Sequence, residues 1–246
     1  MTIKTSKNYW KSRAENYDDK QRTKNKSVLK SILSIGKFNK NDIVLDVGSG
    51  TGIISNLVAN KVKQVVGIDK SSDMIFKCKP MNNILYINND ILNDIFIENS
   101  FDKITCRYVF HYIVSKQQKA MDICYKTLKK GGTIIIVEGV PPSKRVKSDF
   151  KNIFKNKLDR VVCYDDDLVK LMKRSGFKNI KVKNITIKKF SIKKWLKNHV
   201  LSQKEKDRIY NLHVNAKDYF KKDYNMVVTD NDCFIDLKIS IITGKK

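Results

Sequence analysis

No run of apolar residues in this chain of 246 approaches the roughly 20 needed to span a bilayer, and residues 1–8 lack the apolar core of a secretion signal. The expected location is therefore cytoplasmic, with no membrane partner. Paired cysteines are missing as well. The five cysteines at 78, 106, 124, 163 and 233 are odd in number, widely scattered and without a C-x-x-C pair, so neither a zinc site nor a disulfide framework is indicated. They read as buried thiols, and no metal is expected. Acidic charge is scarce: 25 Asp and Glu stand against 50 Lys and Arg, for a net charge of +25. Such a balance collects phosphates and polyanions. Arginine is itself scarce within the basic excess, while Lys, Asn and Ile abound, which fits the drift of a low-GC coding sequence as well as it fits phosphate contacts. The excess also avoids the middle of the chain: residues 43–138 are net +3, residues 1–42 net +7 and residues 139–246 net +15.

What is present is a pattern of strand, turn and helix. Val44-Leu45-Asp46-Val47 is an apolar run of strand type that ends in Gly48-Ser49-Gly50-Thr51-Gly52, and an apolar stretch of helical period, Ile53 to Val62, follows at once. Gln64 to Asp69, Ile84 to Ile87, Phe101 to Cys106 and Thr133 to Val137 read as further strands, with helices starting at Ser71 and spanning about Gln117 to Lys129 before Gly131-Gly132. Alternating strands and helices imply a parallel sheet covered on both faces. After Pro141-Pro142 the pattern changes. Ile180 to Ile187 and Ile235 to Ile241 read as a long-linked antiparallel pair with a bulge near Asn184, and between them lie two amphipathic helices, one after Ser191 and one after Ser202. The expected fold is thus α/β, with a doubly wound, mostly parallel seven-stranded sheet, an antiparallel C-terminal strand and helical lid additions. The expected organisation is one domain: lid helices over 1–40, a ligand-binding core over 41–139, and a substrate-side half over 140–246 with its insertion at about 190–230.

Glycines in the turn allow close backbone approach and positive φ, and the helix N-terminus after it presents unpaired N–H groups, so a ligand should lie across the strand's carboxyl end. Asp69, 19 residues after Gly50, is placed to accept hydrogen bonds from a ribose. The spacing G-x-G-x-G departs from the G-x-G-x-x-G that holds a pyrophosphate, and Asp46 before it would repel one. A phosphate-free cation with a ribose suits the turn better, and S-adenosylmethionine has that character.

Val44 to Gly52, Gly67 to Asp69, Asn89-Asp90, Phe101 to Ile113 and Leu128 to Glu138 resemble, in order, the successive motifs of class I S-adenosylmethionine-dependent methyltransferases, a Rossmann-like family. The resemblance covers about residues 40–139, with Tyr9-Trp10 to Asp18 adding to it. It implies that Asp46, Gly48, Ser49, Gly50, Thr51 and Gly52 shape the methionine side of the cofactor site. It places Asp69 at the ribose, Asp90, Ile91 and Met74 at the adenine, and Cys106, Arg107 and Arg13 at the amino-acid end, with Tyr9, Trp10, Lys70 and Asn89 also in the cofactor site. His111 and Glu138, at the ends of two strands, would serve catalysis, and Tyr17, Tyr112, Arg145 and Trp195 would face the acceptor. Each assignment has a structural rival: Asp69 as a helix cap, Asp90 as a turn carboxylate, Met74 as a core side chain and His111 as a packed histidine.

The resemblance implies methyl transfer to an O or N atom by in-line displacement, yielding S-adenosylhomocysteine. The basic lids suggest a small, anionic acceptor. An RNA acceptor is the alternative, against which stand the missing Asn/Asp-Pro-Pro-Tyr/Phe pattern of adenine-N6 enzymes, the missing Pro-Cys pair of pyrimidine C5 enzymes, and the lack of interleaved aromatics. A cofactor-binding partner subunit without catalysis is the third reading. Oligomeric state is not legible.

Overall fold

The computed structural model describes residues 6–15, 17–18, 22–154, 160–197, 199 and 201–246. Its elements, in chain order, are α1 Ser6–Ala14, α2 Lys26–Gly36, β1 Ile43–Val47, α3 Ile53–Ala59, β2 Gln64–Asp69, α4 Ser72–Ile75, β3 Ile84–Asn88, β4 Phe101–Arg107 and α5 Gln117–Thr127. There follow β5 Leu128–Gly139, α6 Lys147–Phe154, α7 Asp165–Ser175, β6 Lys178–Ser191, α8 Ile192–Lys197, α9 Gln203–Val214, α10 Asp218–Asp223, β7 Val227–Val228 and β8 Cys233–Lys245. Among these helices none is long and apolar enough to cross a membrane.

The sheet runs β3-β2-β1-β4-β5-β8-β6, with β7 paired to β8. Strands β1 to β5 pair in parallel with one another, and β8 is antiparallel to both β5 and β6. Successive strand residues face opposite sides, so a sheet covered on both faces needs apolar residues at every position. The central strands meet that demand. Val44 and Ile135 belong to the core cluster on one face with Val28, Ile32 and Val58, while Leu45 and Ile134 join Met121, Leu168 and Met172 on the other. β1 pairs with β2 on one side and β4 on the other, so the chain winds outward in both directions from this pair. A crevice opens at such a switch point, outside the strands' carboxyl ends.

The helix starts follow the polar caps in the sequence. Ser191 Oγ accepts the Lys194 N–H at 3.0 Å and Ser202 Oγ the Glu205 N–H at 3.2 Å. Asp167 accepts the Tyr164 N–H at 2.9 Å at the head of α7, which ends at Gly176 with φ 102°.

Three expectations are corrected. The sheet has eight strands rather than seven, because Val227 and Val228 form a two-residue ladder against β8. Helix α5 stops at Thr127 rather than near Lys129: Leu128, fully buried, turns extended to pair with Phe101, and Gly131 with φ 77° lies where the β4–β5 register shifts. Strand β6 has no bulge at Asn184, which pairs in register with Ser240. Its register shifts lie between Lys178 and Lys181 and between Ile187 and Phe190, and Asn179 (φ 49°) and Lys189 (φ 51°) there adopt the left-handed backbone that inserts an extra residue.

Candidate active site

At the switch point the carboxyl ends of β1, β2, β3 and β4 surround a cavity of about 390 Å³. Gly48 and Gly50 form its floor beside Val47 and Ile68. Asp69 and Lys70 come from the end of β2, Asn89, Asp90 and Ile91 from the end of β3, and Arg107, Tyr108 and Val109 from the end of β4. Met74 of α4 and Trp10 of α1 close two sides, with Tyr17, Tyr112 and Ile113 at the rim.

The floor turn is built from backbone. Gly48 has φ 64°, and a Cβ there would lie 2.3 Å from Val109 Cγ2, so only glycine fits. Gly50 has φ 57°, and a Cβ on it would meet nothing nearer than Tyr17 at 4.0 Å. Its amide points the other way, donating to Asp69 Oδ2 at 2.9 Å, while the Ser71 amide donates to Oδ1 at 2.9 Å. Burial raises the Asp69 carboxyl above the usual carboxylate range, against the pull of those two amides. The cap of α4 is Ser71, whose Oγ accepts the Met74 N–H at 3.4 Å, so Asp69 braces the helix start rather than capping it. Asp90 makes the turn bond expected of a loop carboxylate, accepting the Leu92 N–H at 3.0 Å, and it also lines the cavity.

Asp46 lies beneath the turn. Its two oxygens accept from Ser55 Oγ at 2.7 Å and Thr105 Oγ1 at 2.8 Å, and burial raises its carboxyl against these bonds. Ser49, Thr51, Gly52 and Cys106 also lie outside the cavity wall among the described residues. Thr51 donates to Asp18 at 2.6 Å and so ties the turn to the segment after α1, Cys106 is buried against Cys124, and Ser49 Oγ is buried with no partner.

His111 and Glu138 do come together. His111 Nδ1 and Glu138 Oε2 are 2.6 Å apart, and both side chains are almost wholly buried. Burial holds the imidazole down at about pKa 4 against the pull of Glu138, so it is neutral, with Nδ1–H donating and the lone pair on Nε2. Neither Nε2 nor Glu138 Oε1 has a hydrogen-bond partner, and neither residue lines the cavity.

Around the rim aromatic rings alternate with guanidinium groups. Trp10 packs edge-on against Tyr112 at 4.8 Å, and His111 lies 4.0 Å from Tyr112. Arg160 sits over the Tyr112 ring at 5.5 Å and Arg22 over Tyr108 at 4.7 Å. Arg13, 1% exposed, donates to Tyr9 Oη at 3.0 Å and to His199 Nδ1 at 2.8 Å, which joins α1 to the insertion 186 residues away; its Nε and Nη2 have no partner. Tyr9 in turn shares a hydrogen bond with Tyr112. Arg107 donates to the Thr23 carbonyl at 2.7 Å.

Two expected acceptor residues sit elsewhere. Arg145 is exposed and pairs with Asp223 of α10, and Trp195 packs against His199 and His213 inside the helical insertion. Arg22, Arg160, Tyr108 and Val109 went unrecognised in the sequence. The apolar segment following β4 could have flagged Tyr108 and Val109, but nothing local links Arg22 to Arg160, 138 residues away. The described residues hold no cluster of His, Cys, Asp or Glu suited to a metal.

Residues 45–136 match the family model of a methyltransferase domain. The chain is 31% identical over 158 residues to phosphoethanolamine N-methyltransferase of Plasmodium falciparum, covering 61% of this chain and 59% of that protein. It is 31% identical over 123 residues to demethylmenaquinone methyltransferase of Thermotoga maritima, covering 49% of this chain and 52% of that one. The chain thus spans between half and three fifths of these relatives' lengths. Its fold matches that of the YcgJ protein of Bacillus subtilis with a TM-score of 0.79 at 20% identity, over 89% of this chain and 98% of the other.

Proposed function

We propose that the chain, whose residues 45–136 match a methyltransferase domain, is a class I S-adenosylmethionine-dependent methyltransferase that transfers a methyl group from that cofactor to an O or N atom of a small, anionic acceptor. The observation that carries the cofactor half of this reading is the pairing of Asp69 and Asp90 on one wall of a cavity whose floor is a glycine turn. The residues present suit such a ligand: Gly50 leaves the space of a side chain open, and the carboxylates of Asp69 and Asp90 line the cavity as acceptors for hydroxyl or amino donors.

When bound, the cofactor supplies a methyl group on a positively charged sulfur. The chain's own part is to bind, orient and exclude water. Asp69, fixed by Gly50 and Ser71, accepts from ribose hydroxyls, and Asp90 faces the adenine amino group with Met74 and Ile91 against the ring. Arg107, held by the Thr23 carbonyl, takes the cofactor's carboxylate, with Lys70 beside the ribose. Trp10, Tyr17 and Tyr112 cover the mouth, so the acceptor meets the methyl carbon in a site from which water is displaced. Holding a nucleophile within about 3 to 3.5 Å in line with the breaking bond supplies much of the rate of such a displacement.

The anionic acceptor is supported by the guanidiniums at the rim. Arg13 and Arg22 form no ion pair with a carboxylate among the described residues, their printed contacts being to Tyr9, His199 and aromatic rings, and a buried guanidinium with only neutral neighbours favours an incoming anion. The phosphoethanolamine in the name of the Plasmodium relative agrees with this.

The test is calorimetry with S-adenosylhomocysteine, followed by methyl transfer to phosphoethanolamine and to neutral ethanolamine. Binding of the nucleoside, with transfer to the anionic amine alone, is expected. Absent binding removes the cofactor assignment, and equal transfer to both amines removes the anionic one.

A further inference from the structure

Arg13 joins the first helix to the insertion near the far end of the chain. Its Nη1 donates to Tyr9 Oη at 3.0 Å and to His199 Nδ1 at 2.8 Å, so both bonds fall on one nitrogen. In a planar guanidinium the Nε–H and the outer Nη2–H point the same way, and together they form the edge that donates two parallel bonds to a carboxylate or phosphate. On Arg13 both nitrogens of that edge are buried without a partner, in a side chain 1% exposed. No carboxylate pairs with Arg13 among the described residues. Such an edge is costly to bury until an anion meets it.

Arg13 stands one ring behind the cavity wall. Its guanidinium carbon is 5.7 Å from the Tyr17 ring and 5.9 Å from the Trp10 ring, and both of these residues line the cavity. Tyr17 also borders the open space at Gly50, 4.0 Å from where a Cβ would stand. A guanidinium has donors only, so the ring nitrogen that meets it must carry a lone pair. His199 can therefore hold Arg13 only while Nδ1 is unprotonated; a proton there removes the acceptor and sets two cations side by side. The groups around this contact come from several elements. On α1, Tyr9 shares Arg13 and hydrogen-bonds Tyr112, over whose ring Arg160 lies. Trp195 of α8 packs against His199 at 5.1 Å and against His213 of α9 at 6.1 Å, and His213 Nδ1 is taken by the Ile209 carbonyl at 2.7 Å.

We propose that the Nε–Nη2 edge of Arg13 is an oxyanion site, taking a carboxylate or phosphate group, and that His199 is the positioning residue that presents it. This rests on the methyl-transfer reading above, which supplies two such anions: the carboxylate of the cofactor and the charge of the acceptor. With Nη1 tied to Tyr9 and to the insertion, the guanidinium cannot turn its remaining edge away from the wall. The insertion, 186 residues from Arg13, thereby sets how firmly the anion is held. Protonation of His199 releases Arg13, and the anion then binds more weakly.

The test is calorimetry of the full chain with S-adenosylhomocysteine, with methylthioadenosine, which is a nucleoside thioether lacking the amino-acid carboxylate, and with inorganic sulfate, an oxyanion of constant charge. Each Kd is measured between about pH 5 and 8, where imidazoles change charge. Arg13→Gln should weaken either S-adenosylhomocysteine or sulfate about tenfold or more and leave methylthioadenosine within about twofold of the parent. Weakened S-adenosylhomocysteine identifies the anion as the cofactor's carboxylate, and weakened sulfate identifies it as the acceptor's charge. For that ligand the parent's affinity should fall about fivefold to tenfold on acidification. His199→Asn sets an amide oxygen where Nδ1 stood and takes up no proton, so it should keep the parent's affinity near the alkaline end and lose the fall. His199→Leu, with no acceptor, should bind weakly throughout. Should Arg13→Gln fail to fold, the acid profiles of the parent and of His199→Asn decide by themselves. Unchanged binding of both S-adenosylhomocysteine and sulfate by a folded Arg13→Gln, no fall in the parent, or a fall that persists in His199→Asn overturns the proposal. Failure of the unaltered protein to bind either nucleoside would instead overturn the cofactor reading beneath it, a separate result.

Discussion

The backbone N–H of Gly50 donates to Asp69 Oδ2 over 2.9 Å, joining the turn after β1 to the end of β2 across 19 residues of chain. The carboxylate therefore shapes the floor of the cavity as well as lining its wall. Asp69→Asn retains an acceptor for Ser71 but turns an amide donor toward the Gly50 N–H, so the turn loses its anchor and the ribose loses a charged acceptor. We expect S-adenosylhomocysteine to bind some tenfold to hundredfold more weakly, about 1.4 to 3 kcal/mol, by calorimetry. Unchanged affinity would exclude Asp69 from the ribose site.

Gly48→Ala carries two separable penalties. The left-handed backbone costs about 1 to 3 kcal/mol for a residue with a Cβ, and that Cβ collides with Val109. Pairing it with Val109→Ala relieves the collision and leaves the strain. Denaturant unfolding should show the double variant recovering part, not all, of the stability lost by Gly48→Ala beyond the cost of Val109→Ala alone.

His111 sets a pH dependence of known sign. Its imidazole is lowered in the fold to about 4 from an ordinary 6.5, chiefly by burial, so between those values the unfolded chain binds a proton that the folded chain does not. Stability should fall as pH falls through that window, with a share from this group of up to roughly 1.4 kcal/mol per pH unit. His111→Gln should flatten the stability curve from pH 6.5 down to 4, measured by urea midpoints. A slope identical to that of the parent would place the acid sensitivity elsewhere.

The basic excess has its own test. Strand β6 is the sheet edge beyond β8, and Lys178, Lys181, Lys183, Lys188 and Lys189 are exposed along it. Lysines on an edge strand discourage pairing with other chains, which accounts for them without a nucleic acid. Binding to total tRNA should accordingly be weak at physiological salt. Tight binding that falls steeply as salt rises would favour the RNA acceptor.

The legible parts of this molecule were those whose causes are local. The run Val44 to Val47 and the glycines after it announce a strand and a ligand-bearing turn, and Asp69 and Asp90 follow at strand ends that hydropathy marks. Ser191 and Ser202 announce their helices because a cap needs only the next few residues. Arg145 was legible as a cation but not as the partner of Asp223, and Trp195 as an aromatic but not as a neighbour of two histidines. Tyr112 was expected at the acceptor, whereas the Arg160 that lies over its ring comes from a segment far along the chain. The Asn184 bulge failed for a related reason: alternation slips there, but the extra residues are absorbed at Asn179 and Lys189, where the backbone turns left-handed.

Strand β8 lies between β5 and β6, yet it follows both in the chain. During synthesis β5 therefore waits with one apolar edge unpaired, and β6 has no neighbour to join until residues 233–245 emerge. The cofactor wall, made by β1 to β4, does not depend on this wait, so the two halves of the sheet can order at different times. A ribosome that stalls before β8 would present an open, aggregation-prone edge, and a chaperone or a bound cofactor would act on a half-finished sheet.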